Sequence, residues 1–438
     1  GLPVLEAMAH GTPVVTSADT CMAEITGTDA GLLVPATDAC ALADALEAAA
    51  GSEHDRLAAA GLARATDYTW EASAAAHARL YETLAGEQNE AARRSARVVL
   101  VNWKNAPLTL RAARSIAPQL RQGDRLILVD NGSGDDSLDV LAAHLPELRA
   151  LAGAGPGSSA PGAAVEIVNA GVNDGFGAGV MAGASDLREG ALVLLNNDAT
   201  VRDGFLDALL DPLADPMVGA TTALILLAGR YREARDGEAV ALSGNGPTRW
   251  VRLSDDEARA GLGTILVNST GNIVDGAGNG QDRDWLCLAS ELDAPAEVFG
   301  ICGGACAIRS DAWEEVGGIR TDLFMYYEDT DLSYKLREAG YDVRFVRQAV
   351  VDHEHAASSD ATSPMFARVN ARNRLIVAAE HASWQVITSA LVRSVVRAAR
   401  AGFRGPAAHG VAQGIAAIPG ALRRRHARNS RRAGAHLR

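Results

Sequence analysis

Two kinds of pattern alternate along this chain of 438 residues. Short unbroken apolar runs are followed by stretches whose apolar positions recur at helical spacing. "RVVLVNW" (97–103), "RLILVDN" (125–131), "AVEIVNAG" (164–171) and "ALVLLNND" (191–198) read as buried strands. Between and after them, "PLTLRAARSIAPQL", "DDSLDVLAAHL", "AGVMAGASDL" and "GFLDALLDPL" read as helices, the first with Pro107 near its start. Strand and helix repeated in this way predict an α/β fold: a Rossmann-like, mostly parallel sheet with right-handed crossovers. Ligands on such sheets bind at the carboxyl ends of the strands. Here those ends read "VNW", "VDNGSGDDS", "NAGVNDGFGAG" and "LNNDA", rich in Asp, Asn and Gly, which suits a polar, phosphate-bearing ligand.

Residues 1–86 form a separate α/β segment, with strands at "TPVVTS" and "GLLVPA" and a helix at "DACALADALEAAA". Residues 87–96 are polar without apolar periodicity and read as a linker. The second α/β domain is expected over 97–356. It includes an irregular region at 228–300 and a strand at "VRFVRQAVVDH", and a helical, Arg-rich region follows over 357–438.

Composition narrows the class. The chain is 48% hydrophobic and 22% charged, and no apolar run approaches the ~20 residues of a membrane span. Five cysteines form no CxxC pair, so a reduced, cytoplasmic chain is expected. The sequence opens mid-motif at "GLPVLEAMAHGTPVV", as a piece of a longer protein would. The net charge of −13 hides an asymmetry: no acid follows Glu380, while eleven arginines lie between Arg393 and Arg438, so the remainder carries −24. An acidic body does not suit nucleic acid.

Four clusters carry candidate chemistry. Asp198 follows a buried strand, where a carboxylate can hold Mg²⁺ or Mn²⁺ against a diphosphate, although it could equally start a turn or cap a helix. Gly177-x-Gly179-x-x-Ala182 fits a dinucleotide fingerprint with Asp198 as its ribose acid, or simply a small-residue helix face packed on the sheet. "YYEDTDLSYKLREAG" places Glu328, Asp329 and Asp331 directly after an apolar run. Asp329 or Thr330 is expected to cap the helix, with Leu332 and Leu336 facing the core and Gly340 ending it. Capping does not explain Glu328, and a carboxylate at a helix N-terminus can accept a proton from a hydroxyl in a cleft. His353 ends a strand and can be a further metal ligand, oriented by Asp352 or Glu354.

Seven motifs from Val98 to Arg374 occur in one order: "VVLVNWKNAPLTLRAARSI", "LVDNGSGDDS", "NDGFGAG", "LLNNDATV", "GGACAIRSDAWEEVGGI", "FMYYEDTDLSYKLREAGYDVRFV" and "ARNRL". Together they resemble family-2 glycosyltransferases of the GT-A fold, especially the rhamnosyltransferase-like group. The resemblance implies an inverting, metal-dependent transfer from a nucleotide-diphosphate sugar to a cell-surface glycan or lipid-linked acceptor. It implies Asp329 as catalytic base, with Glu328 beside it. Asp130 would contact the base of the donor, and Asn102, Asn131, Phe176, Gly177, Asn196, Asn197 and Asp198 would complete the donor site. Gly303, Gly304 and Tyr327 would face the acceptor. Asp198 and His353, with His355 as fallback, would hold Mn²⁺ or Mg²⁺. "GLPVLEAMAHGTPVVTS" and "AEITGTDAGLLVPATD" resemble the end of a family-4, GT-B glycosyltransferase, with Glu6 as the second glutamate of its E-x7-E motif.

Two competing readings stay open: a nicotinamide-dependent oxidoreductase and an inactive sugar-nucleotide-binding module. In the tail, Arg393, Arg397, Arg400 and Arg404 lie on one helix face, and Val392, Val395, Val396, Ala399 and Phe403 on another. Such a segment suits an anionic membrane surface, with the protein peripheral at its inner face, or a solvated tail.

Overall fold

The computed structural model describes residues 1–18, 20–70, 72–74, 77–78, 81, 95–153, 164–238, 240, 242–244, 247–354 and 363–435. Most of the expected linker and His355 lie outside the described residues. The chain forms two compact units, Gly1–Glu90 and Ala91–Arg438.

In the first unit, helix α1 (Leu2–Ala9) precedes strand β1 (Val15–Ser17), α2 (Cys21–Thr26), β2 (Leu32–Val34), α3 (Ala39–Ala50) and α4 (His54–Ala65). The two strands pair in parallel. Asp38 caps α3 through Ala41 N (2.9 Å). Val4, Met8, Val14 and Ala30 form a small core.

The second unit begins with β3 (Ala96–Asn102), α5 (Ala106–Ile116), β4 (Arg125–Asp130), α6 (Ser137–Ala143), α7 (Leu145–Gly153), β5 (Ala164–Asn169), α8 (Phe176–Gly183) and β6 (Ala191–Leu195). The apolar runs read as buried strands because both sheet faces are covered. In β3, Val98 and Leu100 point to a core shared with Leu110, Ile116, Leu141 and Leu148. Val99, between them, points to the opposite core with Val180, Trp313, Leu332 and Leu336.

Beyond β6 come β7 (Ala199–Val201), α9 (Phe205–Leu210), β8 (Val218–Leu227), β9 (Tyr231–Glu233), β10 (Leu242–Ser243), β11 (Arg249–Arg252), α10 (Asp255–Arg259), β12 (Val267–Ser269), β13 (Asn272–Val274) and β14 (Gly280–Asp282). Then follow β15 (Ala305–Arg309), α11 (Ser310–Val316), α12 (Glu328–Ala339), β16 (Asp342–His353), α13 (Pro364–His381), α14 (Trp384–Arg400) and α15 (Pro406–Ala435). The main sheet runs β5-β4-β3-β6-β15-β8-β16-β7, with β12 on β8. Strands β5, β4, β3 and β6 are parallel throughout. The second half is mixed, because β15 runs antiparallel between β6 and β8. The parallel expectation therefore describes the half built from strand–helix repeats.

The Arg-rich end is part of the second unit, not an appended tail. Helices α13 and α15 share a core with the body, where Ile376, Val377 and Ala421 pack with Leu323 and Tyr327, and α14 packs on them through Ile387 and Ala390. Arg424 and Arg428 pair with buried Glu380 at 2.7 and 3.0 Å. None of the described helices is long and apolar enough to cross a membrane.

Candidate active site

The strand order reverses at β3, with β4 and β5 on one side and β6 on the other. A crevice opens at the carboxyl ends of such a pair. Here it is a cavity of about 1140 Å³, lined from Trp103 and Asn131 through Asn196–Asp198 to Asp329, His353 and Arg397.

Asp198 lies in the turn from β6 to β7, closed by Ala199 N donating to Asn196 O (3.1 Å). Strand β16 then brings in His353, because His353 pairs in register with Ala199. Its Nε2 lies 3.0 Å from Asp198 Oδ1, and its Nδ1 lies 2.8 Å from Asn268 Oδ1. An amide oxygen only accepts, so this places the proton on Nδ1. Nε2 then meets a carboxylate oxygen lone pair to lone pair, a contact that calls for a cation or a proton between them. One buried carboxylate and one oriented imidazole fit a hard divalent cation. The orienting group is Asn268, not Asp352 or Glu354 as the sequence suggested. Asp352 is taken by Arg202 (2.7 Å), and Glu354 by Arg252 (3.2 Å) and Arg111 (3.5 Å).

Glu328 and Asp329 reach the cavity through an unusual backbone. Phe324, Tyr326 and Tyr327 have φ of 68°, 66° and 72°, a left-handed conformation that costs non-glycine residues about 1–2 kcal/mol each. Asn373 of the "ARNRL" motif offsets this. Its buried amide donates to Leu323 O, Met325 O and Tyr326 O at 3.0, 2.9 and 2.8 Å. Phe176 N donates to Phe324 O (2.8 Å), and a side chain at Gly175 would strike that oxygen. Tyr327 is the N-cap of α12, without a side-chain cap bond. The capping role expected of Asp329 or Thr330 is therefore not theirs. Both lie inside the first turn, because the left-handed stretch starts the helix earlier.

Freed from capping, the Asp329 carboxylate accepts from Gly303 N (3.2 Å) and Thr330 N (2.6 Å). Gly304 O accepts from Asn196 N (2.9 Å), so the Gly303–Gly304 turn joins the acid to the Asp198 segment. Burial pushes the Asp329 carboxyl up from its ordinary value, opposed by those N–H donors. Burial, then the neighbouring Asp329 charge, pushes Glu328 up to about 8. Asp282, half-buried on β14, also lines the cavity, and burial pushes it up to about 6.

Of the residues expected at the site, Asn131, Phe176, Asn196, Asn197, Asp198, Gly303, Gly304, Tyr327, Glu328, Asp329 and His353 line this one cavity. Asn102, Asp130 and Gly177 do not. Asp130, expected to touch the donor base, is buried beneath the wall and accepts from Asn102 Nδ2 (2.9 Å) and Ser133 Oγ (2.5 Å). Thr109 links Asn102 to Asn197 at 2.8 and 3.2 Å. This is a buried polar chain that braces Asn197 from below. Gly177 packs on Arg320 O in the loop before α12 and Gly179 on Val101 of β3, so the glycine pattern of α8 serves close packing on a loop and on the sheet.

Sequence reasoning passed over Asn268, Asp282 and Arg397. The first two lie in the irregular stretch without periodicity, and Arg397 was read with the tail. Only Asn373 had a signal, inside a quoted motif.

Residues 98–230 match the family description "Glycosyl transferase family 2". Residues 262–413 match "Glycosyl transferase family group 2", and residues 1–51 match "Glycosyl transferases group 1". The chain is 24% identical over 302 residues to the N-acetylglucosaminyl-diphospho-decaprenol L-rhamnosyltransferase of Mycobacterium tuberculosis, covering 66% of this chain and 85% of that protein. It is 42% identical over 88 residues to the phosphatidyl-myo-inositol mannosyltransferase of Mycobacterium leprae, covering 19% of this chain and only 24% of that protein. Similar solved structures include GalNAc-T7 with UDP, GalNAc and Mn²⁺, at TM-score 0.44 and 16% identity, covering 70% of this chain and 50% of that one. Another is the mannosyltransferase PcManGT from Pyrobaculum calidifontis in complex with GDP-Man and Mn²⁺, at TM-score 0.37 and 16% identity, covering 78% and 75%. The two family-2 matches run through both halves of the main sheet and through the segments that line its cavity. The chain from Ala91 onward is a glycosyltransferase of family 2 with the GT-A fold, preceded by a piece of a group 1 glycosyl transferase.

Proposed function

We propose that the second unit is an inverting, divalent-metal-dependent transferase. It moves a hexose, rhamnose-like or other, from a nucleotide-diphosphate sugar to a hydroxyl of a cell-surface glycan or lipid-linked acceptor. The observation that carries this reading is the opening of Asp329 and of the Asp198–His353 pair on one cavity, joined by the Gly303–Gly304 turn. The M. tuberculosis relative, named for L-rhamnosyl transfer to a lipid diphosphate, supports the choice of sugar and acceptor.

In this reading Asp198 and His353 hold Mg²⁺ or Mn²⁺, which when bound neutralises charge on the leaving diphosphate. Asn131, Phe176, Asn196 and Asn197 bind the donor, with Asp130 and Asn102 bracing them from beneath. Tyr327 and the Gly303–Gly304 turn seat the acceptor. Asp329 takes the acceptor hydroxyl proton as the oxygen attacks the anomeric carbon and the nucleotide diphosphate departs. Raised by burial and opposed by two backbone N–H groups, the Asp329 carboxylate is a stronger base than an exposed one. Glu328 keeps its proton at neutral pH and orients the acceptor. The exposed apolar residues of α14, flanked by Arg400 and Arg404, suit peripheral contact with an anionic membrane.

Calorimetry of nucleoside diphosphates with Mn²⁺ tests the donor site. Asp198→Ala should abolish metal-dependent binding, and His353→Ala should weaken it. Unchanged affinity in Asp198→Ala would overturn the assignment.

A further inference from the structure

The eleven arginines of the chain's last segment divide by what they touch. Arg424 and Arg428 on α15 are paired with Glu380 and Glu338. Arg393 and Arg397 on α14 are exposed and make no ion pair with a described residue, yet Arg397 lines the cavity. Facing them from α13 is Arg374, only 4% exposed. Its Nη1 donates to Asn279 Oδ1 (2.7 Å) and its Nη2 donates to Ser394 Oγ, but its Nε has no hydrogen-bond partner among the described residues. Burial, with Arg397 and Arg393 near it, holds this guanidinium below its ordinary value. The carboxylate closest in influence, Asp275, is already bound by Asn279, Gln281 and Ala277 N. Arg397 thus lies at the cavity wall with Arg374 and Arg393 near it, and none of the three is in an ion pair with a described residue.

The rest of α14 says what kind of anion fits. At 100° per residue, Arg393, Arg397 and Arg400 form one row that ends with the helix at Arg400. On one side of that row lie the buried Ile387, Ala390, Ser394 and Ala398. On the other side lie Val392, Val395 and Val396, exposed to 54, 37 and 44%, and the turn after the helix carries Phe403, exposed to 65%. The arginine row therefore runs between the cavity wall and an uncovered apolar face. A soluble glycan has no use for such a face, whereas a phosphate-bearing lipid meets both surfaces at once.

We propose that Arg374, Arg393 and Arg397 hold the phosphate groups of a lipid-diphosphate-linked acceptor whose hydrocarbon chain lies along the apolar face of α14. This rests on the transferase reading above and assigns the residues that select its acceptor. The phosphates dock at the arginines, the lipid leaves along Val392, Val396 and Phe403, and the sugar hydroxyl is directed toward Asp329.

The test is calorimetry of the full chain with farnesyl diphosphate in EDTA, which keeps the diphosphate from binding through a metal at Asp198–His353. Wild-type protein should bind it, and farnesol should bind at least about tenfold more weakly. The Arg393→Ala/Arg397→Ala double variant should lose about tenfold or more in farnesyl diphosphate affinity at an unchanged melting temperature, since both side chains are exposed. Equal binding of farnesol, or an unchanged affinity in the variant, would overturn the proposal. So would a variant that loses binding to phosphatidylglycerol vesicles but keeps farnesyl diphosphate, because the arginines would then read headgroups. Failure of the transferase reading shows separately, as absent Mn²⁺-dependent nucleoside diphosphate binding by the wild-type protein.

Discussion

Asp329 and Asp331 are two residues apart in the first turn of α12, and their surroundings are opposite. Asp329 opens on the cavity, touches only backbone N–H groups and the Thr330 hydroxyl, and is pushed up by burial. Asp331 is fully buried on another side of the helix. His381 Nε2 lies 2.9 Å from it, Lys335 Nζ 2.9 Å and Arg320 Nη1 3.3 Å. Burial alone would raise Asp331, but the His381 hydrogen bond and these cations hold it well below the usual carboxylate range. Asp331, Glu380 and His381 are close enough together to hold a metal ion. The surrounding Arg320, Arg424 and Arg428 already neutralise these carboxylates, so the cluster reads as an ion-pair network tying α12 to α13 and α15. A carboxylate without a cation beside it is left with chemistry to do, and one that is fully paired holds elements together.

The sharpest break of this comparison is a pair of isosteric substitutions. Asp329→Asn should lower the transfer rate by roughly 10²–10⁴, while stability changes by about 1 kcal/mol or less. Asp331→Asn should do the reverse: removing one partner from a buried network costs about 3–5 kcal/mol, with a clear fall in melting temperature. The surviving folded fraction should turn over near normally. Turnover and melting temperature measured on both variants decide it. A folded Asp329→Asn with near-normal transfer would mean that both acids are structural.

The second prediction concerns what places the acids. Asn373 lies on α13, far along the chain, yet it holds the left-handed stretch before α12. Asn373→Ala removes the side-chain donor from Met325 O and Tyr326 O, while Leu323 O keeps Arg372 Nη2 and Met325 N, at a cost of about 1–3 kcal/mol. It should also lower kcat for transfer more than it weakens nucleotide binding, because the loop it releases carries Tyr327, Glu328 and Asp329. Equal losses in both would show that the contact only supports the fold.

How much of this was legible in the sequence follows from where each signal lives. The parallel strands were readable because both faces of β3, β4 and β6 are buried, which leaves unbroken apolar runs. Asp198, His353, Glu328 and Asp329 stood at element ends, where polar residues after apolar runs are conspicuous. The start of α12 was not legible, since capping residues were present and the true cause, three left-handed residues held by Asn373, is a tertiary contact. Asp130 lies beneath the cavity wall and not in its lining, a difference the sequence does not carry because a buried Asp and one lining a cavity look alike when both follow a strand. Asn268 stands in a short strand paired with the distant β8, and Asp282 in a short local hairpin, and neither strand carries an apolar run. The arginines of the last segment looked like one charged tail, and only packing separates those that brace Glu380 from those that face the cavity.

The smallest effect expected is a change of pH profile at Glu328. A general base must be ionised, so transfer should fall as pH drops through the raised value of Asp329. Glu328, pushed up to about 8 by burial and the Asp329 charge, is neutral at pH 7. As pH rises through that value, a second negative charge appears beside the ionised base, the acceptor loses a hydrogen-bond donor, and activity should decline. Transfer kcat/KM should therefore be bell-shaped, with an acid limb set by Asp329 and an alkaline limb near the Glu328 value of about 8. Glu328→Gln keeps a neutral donor at every pH and should remove the alkaline limb. It should leave the acid limb in place, because burial is the main cause of the Asp329 shift. The rate at pH 7 should fall less than in Asp329→Asn. An alkaline limb that persists unchanged in Glu328→Gln would assign that titration to another group and leave Glu328 with a structural role.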